Sequence, residues 1–279
     1  DQGDDEYKAL GEELHELVFA DVEPLLREKS VETLLVIPDG ILRTIPFSAF
    51  FDGDQYMIEK YAIATTPGIS LTFPKRLDVQ EATLFAGGIS HSVQGFSSLP
   101  GVPGELDKLQ DQHGAQILHN EEFQRSTIEA QLSSEQYSIV HIATHGHFDS
   151  NPQQSYLLTY DGKLTMDLLE QSIGSRQQTG NTLDLLVLSA CETAVGDNRA
   201  ALGLAGVALK AGARSAVASL WQISDAATVL IIGSFYDHAT KDHISKAQAL
   251  KKAQNELINS ERHSHPSDWA PFLLIGNWL

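Results

Sequence analysis

Hydrophobic residues along this chain fall into two alternating patterns, short apolar runs that are typical of buried strands and longer stretches with helical spacing. The first stretch, residues 7–27, places leucines opposite glutamates and predicts an amphipathic entry helix bent near Pro24. The apolar runs predict strands at residues 33–37, 56–64, 82–86, 115–118, 138–144, 183–189, 215–220 and 269–275. Helical patterns separate most of these runs, at residues 104–112, 127–132, 200–211, 226–238 and 243–260.

Strands that alternate with helices predict an α/β fold with a mostly parallel central sheet and helices on both faces. The run at residues 183–189 is apolar on both faces of a strand, as expected inside a covered sheet. Such sheets bind ligands beyond the carboxyl ends of their strands, so side chains that follow a strand are the first candidates for function. Residues 87–104 are rich in glycine, serine and proline and predict a long exposed loop, either a lid or a surface excursion.

The charge of the chain narrows the classes of partner. Its 279 residues include 19 Lys and Arg against 37 Asp and Glu, a formal net charge of −18. Because nucleic acids and anionic membranes attract basic surfaces, both are poor partners for so acidic a chain. No apolar run reaches the roughly 18 residues of a membrane span, no signal segment leads the chain, and the one cysteine fits a reducing compartment. A cytoplasmic location is therefore predicted.

Two predicted strands lead into reactive side chains. Residues 138–144 run into His145-Gly146, and residues 183–189 run into Ala190-Cys191. If the two strands are neighbours, His145 can draw the thiol proton from Cys191, and the thiolate can attack a carbonyl carbon as in a cysteine protease. Gly146 lets the backbone approach a substrate, so its N–H group and that of Cys191 are candidates for an oxyanion hole.

The same residues also have other interpretations. A lone cysteine at the end of an apolar strand is often a small packed hydrophobe, and a histidine there is often a structural residue. A metal site is a further alternative, because His141, His145 and His147 supply three imidazoles within a short span and zinc accepts such ligands. Gly146 is expected to end the strand, and no cluster elsewhere completes the coordination sphere, so no metal is predicted.

The segments around both strands resemble the CHAT domain, a caspase-like cysteine peptidase family related to separase. The resemblance covers residues 33–279 and rests on several motifs together. These motifs are His141-Ile-Ala-Thr-His145-Gly146, Leu188-Ser189-Ala190-Cys191-Glu192-Thr193, Ala211-Gly212-Ala213-Arg214-Ser215 and Ser219-Leu220-Trp221, with further matches at Pro38-Asp39-Gly40, Phe235-Tyr236 and Trp269-Ala270.

The resemblance implies a caspase-hemoglobinase fold with a catalytic dyad of His145 and Cys191. It also implies that the N–H groups of Gly146 and Cys191 form the oxyanion hole. Ser219 and Trp221 are implied to line the cleft, where this segment pairs with the substrate backbone as an added strand.

The family context bears on domain organisation and partners. Members commonly follow TPR-type helical repeats that sense a partner, and some serve in bacterial immunity or programmed cell death. The chain does not begin with Met, so we expect residues 1–30 to be an entry helix that ends such a repeat region. Residues 31–279 are then the peptidase domain, and the repeat region or a separate protein is the predicted activating partner.

Specificity is less constrained by the sequence. In better-known caspases the cysteine is followed by Arg-Gly, whereas Glu192-Thr193 follows it here, so aspartate specificity is not carried over. Asp149 and Asp225 lie just beyond strand ends, and their carboxylates are candidates for the floor of a pocket that binds a basic P1 side chain. The alternative is that both are solvated loop residues, which is the usual environment of aspartate.

We therefore predict a cysteine endopeptidase that cleaves a protein substrate, is activated by a partner and requires no cofactor. No third triad member is identifiable, so a backbone carbonyl or a water molecule is expected to orient His145. The alternative function is a catalytically silent scaffold for protein–protein interaction built on the same fold.

Overall fold

Strands and helices alternate along the chain in this computed structural model, which describes residues 2–69, 72, 74–78, 81–134, 136–148, 154–176, 181–189, 192–193, 206, 209, 212–221, 223–241 and 244–279. The strands are β1 (Thr33–Val36), β2 (Ala62–Thr65), β3 (Leu84–Gly88), β4 (Gln116–His119), β5 (Ile139–Ala143), β6 (Gly146–Phe148), β7 (Tyr156–Thr159), β8 (Gly162–Thr165), β9 (Leu185–Leu188), β10 (Glu192–Thr193), β11 (Ser215–Ser219) and β12 (Phe272–Gly276). The helices are α1 (Gln2–Val18), α2 (Glu23–Glu28), α3 (Met57–Lys60), α4 (Val102–His113), α5 (Arg125–Ser133), α6 (Met166–Ser175), α7 (Asp225–Lys241), α8 (Lys246–Ile258) and α9 (Pro266–Trp269).

An eight-stranded sheet forms the centre of the fold, in the order β1-β2-β12-β11-β9-β5-β3-β4. The five strands from β11 to β4 run parallel to one another, and so do the three strands from β1 to β12. The two blocks meet at the antiparallel pair β11 and β12. The carboxyl ends of β5, β9 and β11 therefore lie side by side at one edge, where ligand sites of α/β sheets are found.

Side chains of the central strands alternate between two cores, as strand geometry requires. Along β5, Ile139 and Ala143 pack into the core that contains α4, α7 and α8, whereas Val140 and Ile142 pack into the core that contains α5 and α6. Strand β9 alternates in the same way, with Val187 in the first core and Leu188 in the second. The mostly parallel sheet with helices on both faces confirms the predicted fold class.

A second sheet lies beyond the ends of β5 and β9, in the order β10-β6-β7-β8. Strand β6 pairs parallel to β10 and antiparallel to β7, and β7 forms a hairpin with β8. The sequence patterns did not predict this small sheet, because its strands are only two to four residues long.

The N-terminal helices are fastened to the domain by an ion cluster around Glu23. This buried carboxylate contacts the Arg27 guanidinium at 2.9 Å, His15 Nε2 at 2.8 Å and the Lys60 ammonium, which also contacts Asp52. Burial alone would raise the pKa of Asp52, but Lys60 and two backbone N–H groups outweigh it and lower that pKa to about 2. The pKa of Glu23 is lowered as well, since Lys60 and Arg27 outweigh the effect of its burial.

The structure corrects three predicted elements. Residues 7–27 do not form one bent helix, because Pro24 stands in the first turn of a separate helix, α2. Residues 56–64 are not one strand, since the Glu59 carboxylate accepts the Tyr56 N–H at 2.7 Å and closes the turn of α3 before β2 begins. Trp269 ends α9, and the final strand begins at Phe272.

Within the described ranges, no helix is long and apolar enough to cross a membrane.

Candidate active site

His145 lies between β5 and β6, at the edge where the carboxyl ends of the parallel strands meet. Its side chain is largely buried, with the residue 7 % exposed, and its Nε2 lies 2.8 Å from the backbone carbonyl of Ser97. Because a carbonyl oxygen can only accept, Nε2 donates this hydrogen bond, and the neutral ring carries its lone pair on Nδ1. His145 is thus held in the tautomer that can take up a proton at Nδ1.

The loop that supplies the Ser97 carbonyl is anchored along its length. Phe96 packs its ring 5.2 Å from the His145 ring, and the Gln94 side chain donates to the Thr159 carbonyl at 2.8 Å. The Leu99 N–H donates to the Ser90 carbonyl at 3.0 Å. The segment predicted as a lid or a surface excursion therefore contains the group that orients His145, and it is fastened to the β7–β8 hairpin.

Cys191 lies outside the described residues, as do Ala190 and Asp149, but Ser189 before it and Glu192 after it are described. Before it, β9 pairs with β5, and the Ser189 N–H donates to the Ile142 carbonyl at 3.1 Å. After it, Glu192 is paired with His147 of β6. The two strands that lead into the predicted dyad, β5 and β9, are therefore neighbours. Strand pairings are formed before and after Cys191 in sequence, as they are before and after His145.

Gly146 follows His145 directly and begins β6, where it is buried and paired with Leu157 of β7. The Leu158 N–H donates to the His145 carbonyl at 2.8 Å, and the Thr144 hydroxyl donates to the Leu158 carbonyl at 3.0 Å. These bonds hold the backbone on both sides of His145 against the hairpin.

Ser219 and Trp221 lie at and after the carboxyl end of β11. Ser219 is buried and pairs with Phe272, while the Trp221 indole donates to the Ser267 carbonyl at 3.3 Å. Trp221 also lines a cavity of about 360 Å³ whose other walls are mainly α1, the Pro46–Phe50 turn and α9. The segment predicted to line the cleft thus continues into an apolar cavity at the same sheet edge.

Asp225 begins α7, and its carboxylate accepts the Gly101 N–H just before α4. This contact joins two residues that lie 124 positions apart in sequence, at the starts of α4 and α7. Asp225 is therefore partly buried and fixed next to the loop that orients His145, in contrast to the solvated loop residue of the alternative interpretation.

The three histidines of the metal alternative have separate partners. His141 is fully buried with Nε2 3.1 Å from Glu105, His145 is bonded to Ser97, and the His147 ring lies 5.6 Å from the Tyr156 ring. Among the residues that the structure places, no three His, Cys, Asp or Glu side chains are grouped to hold a metal ion.

The sequence patterns missed a buried polar cluster beneath this edge. Glu105 of α4 lies 3.1 Å from His141 and accepts a hydrogen bond of 3.2 Å from the Ser189 hydroxyl, and the Tyr236 hydroxyl lies 3.5 Å from His141 Nδ1. Burial, with Glu105 nearby, raises the pKa of Tyr236 well above its usual value. One signal was present, since a histidine in the middle of an otherwise apolar strand needs a polar partner on the facing helix.

Nearly the whole chain matches a known protein family. A family described as the CHAT domain matches residues 8–277. Tetratricopeptide repeat protein 28 of Homo sapiens is 31% identical over 131 residues, which are 46% of this chain and 5% of that protein. Its Mus musculus counterpart is 34% identical over 98 residues, 34% of this chain and 4% of that protein, so the chain spans only a small part of these relatives.

Solved structures share the fold at low sequence identity. The separase chain of a Saccharomyces cerevisiae separase–securin complex has a TM-score of 0.57 at 10% identity, covering 88% of this chain and 16% of that one. The Arg-specific cysteine proteinase gingipain R also has a TM-score of 0.57 at 10% identity, covering 98% of this chain and 67% of that one.

Proposed function

Since this chain belongs to the CHAT domain family, we propose that it is a cysteine endopeptidase in which Cys191 is the nucleophile and His145 the general base. The observation that carries the proposal is the state of His145, buried at the end of β5 with Nε2 bonded to the Ser97 carbonyl. Support also comes from Glu192, which adjoins Cys191 in sequence and pairs with His147, two residues from His145. A paired residue next to Cys191 in sequence and so near His145 is what the proposed dyad requires.

In the proposed mechanism, Nδ1 of His145 takes the proton from the Cys191 thiol, and the thiolate attacks the scissile carbonyl carbon. The backbone N–H groups of Gly146 and Cys191 bind the oxyanion of the tetrahedral intermediate. Collapse of the intermediate breaks the C–N bond, and His145 donates its proton to the leaving amine. Water, deprotonated by His145, then hydrolyses the thioester and regenerates the thiol. No step requires a cofactor.

For specificity, we propose a basic P1 side chain bound near Asp225. A carboxylate has two oxygens and about four acceptor positions, so the bond from Gly101 leaves capacity for a guanidinium or ammonium group. Gingipain R, which shares the fold, is an Arg-specific proteinase. The substrate backbone is proposed to pair with the segment from Ser219 to Trp221, and Asp149 stays a second candidate for the pocket.

For regulation, we propose that a helical-repeat region or a partner protein activates the domain. Two relatives are tetratricopeptide repeat proteins, and the separase structure is a complex with securin. A role in bacterial immunity or cell death stays a prediction of the family resemblance.

The test is covalent labelling by acyloxymethyl-ketone probes that differ only at P1. Wild type is compared with His145→Ala, and with His238→Ala as a control histidine that is bonded to Glu256 on the helical layer. We expect a Lys or Arg probe to label wild type and the control alike, and labelling to fall about 100-fold or more without His145. Cys191→Ala reports background labelling.

Labelling that is independent of His145 would contradict the dyad. Preference for an apolar or acidic probe would contradict the P1 assignment but not the peptidase. An absence of labelling with and without a full-length repeat protein would favour the scaffold.

A further inference from the structure

We propose that Glu105 is a positioning residue that holds the end of β9 and thereby sets the approach of Cys191 to His145. The inference rests on the proposed function, because it assigns Glu105 a role in that dyad. It is carried by the buried contacts among Glu105, Ser189 and His141, which the peptidase mechanism does not otherwise use.

Strand alternation explains why these side chains meet. Ile139 and Ala143 of β5 face the α4 core, so His141 between them faces it too, and in β9 Leu185 and Val187 put Ser189 on the same side. His141 is paired with Val187 in the sheet, and Glu105 from α4 reaches His141 and Ser189 at 3.1 and 3.2 Å. One carboxylate therefore spans two adjacent strands just before each leads into a dyad residue.

The environment makes this bridge hard to replace. Glu105 is 3 % exposed and His141 0 %, so neither can exchange its partner for water. Neither Glu105 Oε1 nor His141 Nε2 has a hydrogen-bond partner elsewhere among the described residues, and the other facing groups are Ser189 and the Tyr236 phenol. A buried carboxylate must be compensated by a cation or donors, which confines Glu105 to this arrangement.

The same chain segment also positions the base. Ser97, whose carbonyl orients His145, is followed four residues later by Gly101, which Asp225 fixes, and α4 begins at Val102. Glu105 lies in the first turn of α4. Residues 97–105 therefore contact His145 at one end and the strand that leads to Cys191 at the other. This one segment thus positions both residues of the proposed dyad.

The test uses Cys191 itself, since it is the only cysteine in the chain. Its alkylation by iodoacetamide is followed by mass spectrometry in wild type, Glu105→Gln, Ser189→Ala and the double variant, below the melting temperature of each. We expect each single variant to slow alkylation about tenfold and to lower kcat on the best peptide with KM unchanged within about twofold. The double variant should be no slower than the slower single one, because both remove the same link.

Glu23→Gln is the matched control, because Glu23 is another buried carboxylate in a polar cluster and has no contact with the dyad strands. It should lower the melting temperature and leave alkylation and kcat unchanged. Wild-type alkylation rates in folded Glu105→Gln and Ser189→Ala, or additive effects in the double variant, would overturn the proposal. If Glu105→Gln does not fold, Ser189→Ala, which removes a single hydroxyl, decides.

Failure of the proposed function is distinguishable from failure of this inference. Alkylation needs no turnover, so the Glu105 effect is measured even if no peptide is cleaved. A wild-type thiol whose alkylation ignores His145→Ala would refute the dyad, whereas dependence on His145 without dependence on Glu105 would refute only the positioning role.

Discussion

The negative charges of two buried glutamates, Glu23 and Glu105, are compensated in different ways. Glu23 contacts the long cationic side chains of Arg27 and Lys60, and these join α1 and α2 to the rest of the domain. Glu105 contacts a fully buried histidine and a serine hydroxyl between two central strands. The first cluster supplies charge attraction where two surfaces meet, whereas the second fixes the spacing of strands that lead into the candidate active site.

Mutations in the two clusters should therefore change different measured quantities. Mutations around Glu23 should change the free energy of unfolding and its pH dependence while leaving turnover alone. Mutations around Glu105 and the Ser97 loop should change thiol reactivity and turnover more than their effect on stability would suggest.

The largest expected effect is on stability, from Lys60→Met. The substitution keeps the aliphatic stem but removes the more buried of the two cations that contact both Glu23 and Asp52, leaving only the exposed Arg27, so we expect a loss of about 3 kcal/mol in the free energy of unfolding. Urea denaturation measures it, and kcat should be unchanged. Lys29→Met is the control, because its pair with Glu28 is exposed and should contribute less than about 1 kcal/mol. Equal losses in the two variants would contradict the comparison.

Acid should weaken the same cluster. The pKa of Asp52 is about 2 in the folded protein against an ordinary value of 3.8, so the unfolded chain binds more protons between these values. The stabilisation is complete above about pH 5 and is lost as the pH falls toward 2, with Asp52 contributing about 2 kcal/mol. Urea titrations at pH 5, 4 and 3 should show this decline, with a smaller slope in Lys60→Met. Identical slopes would show that Lys60 does not lower the carboxylate pKa values.

Much of the fold could be predicted because apolar runs encode strands directly. Strands β5 and β9 follow from such runs, and the rule that ligands bind beyond strand ends selected His145 and the segment after β9. The strand predicted at residues 56–64 was wrong, since apolar composition cannot show that Glu59 caps a helical turn at Tyr56.

The sequence predicted a backbone carbonyl or a water molecule as the group that orients His145, but it could not show which residue supplies that group, for a physical reason. Ser97 acts through its backbone carbonyl, which every residue possesses, and it lies 48 residues from His145. Glu105 and Ser189 are 84 residues apart, and only the crossing of α4 over two strands brings them together. Side-chain patterns cannot report a main-chain acceptor or a contact made by tertiary packing.

Gln94→Ala should have the smallest effect, and it tests whether the loop around Ser97 must be held in place to orient His145. Gln94→Ala removes the amide that donates to the Thr159 carbonyl, which fastens this loop to the β7–β8 hairpin. A partly exposed hydrogen bond contributes about 1 kcal/mol to stability, so the melting temperature should fall only slightly. A loosened loop holds the Ser97 carbonyl on His145 for less of the time, so kcat should fall about fivefold with little change in KM. Gln110→Ala, an exposed glutamine on α4, is the control and should leave kcat unchanged. If both variants keep wild-type kcat, the contact between Ser97 and His145 does not depend on this anchor, and the loop is held by the packing of Phe96 and the backbone bond from Leu99 to Ser90 instead.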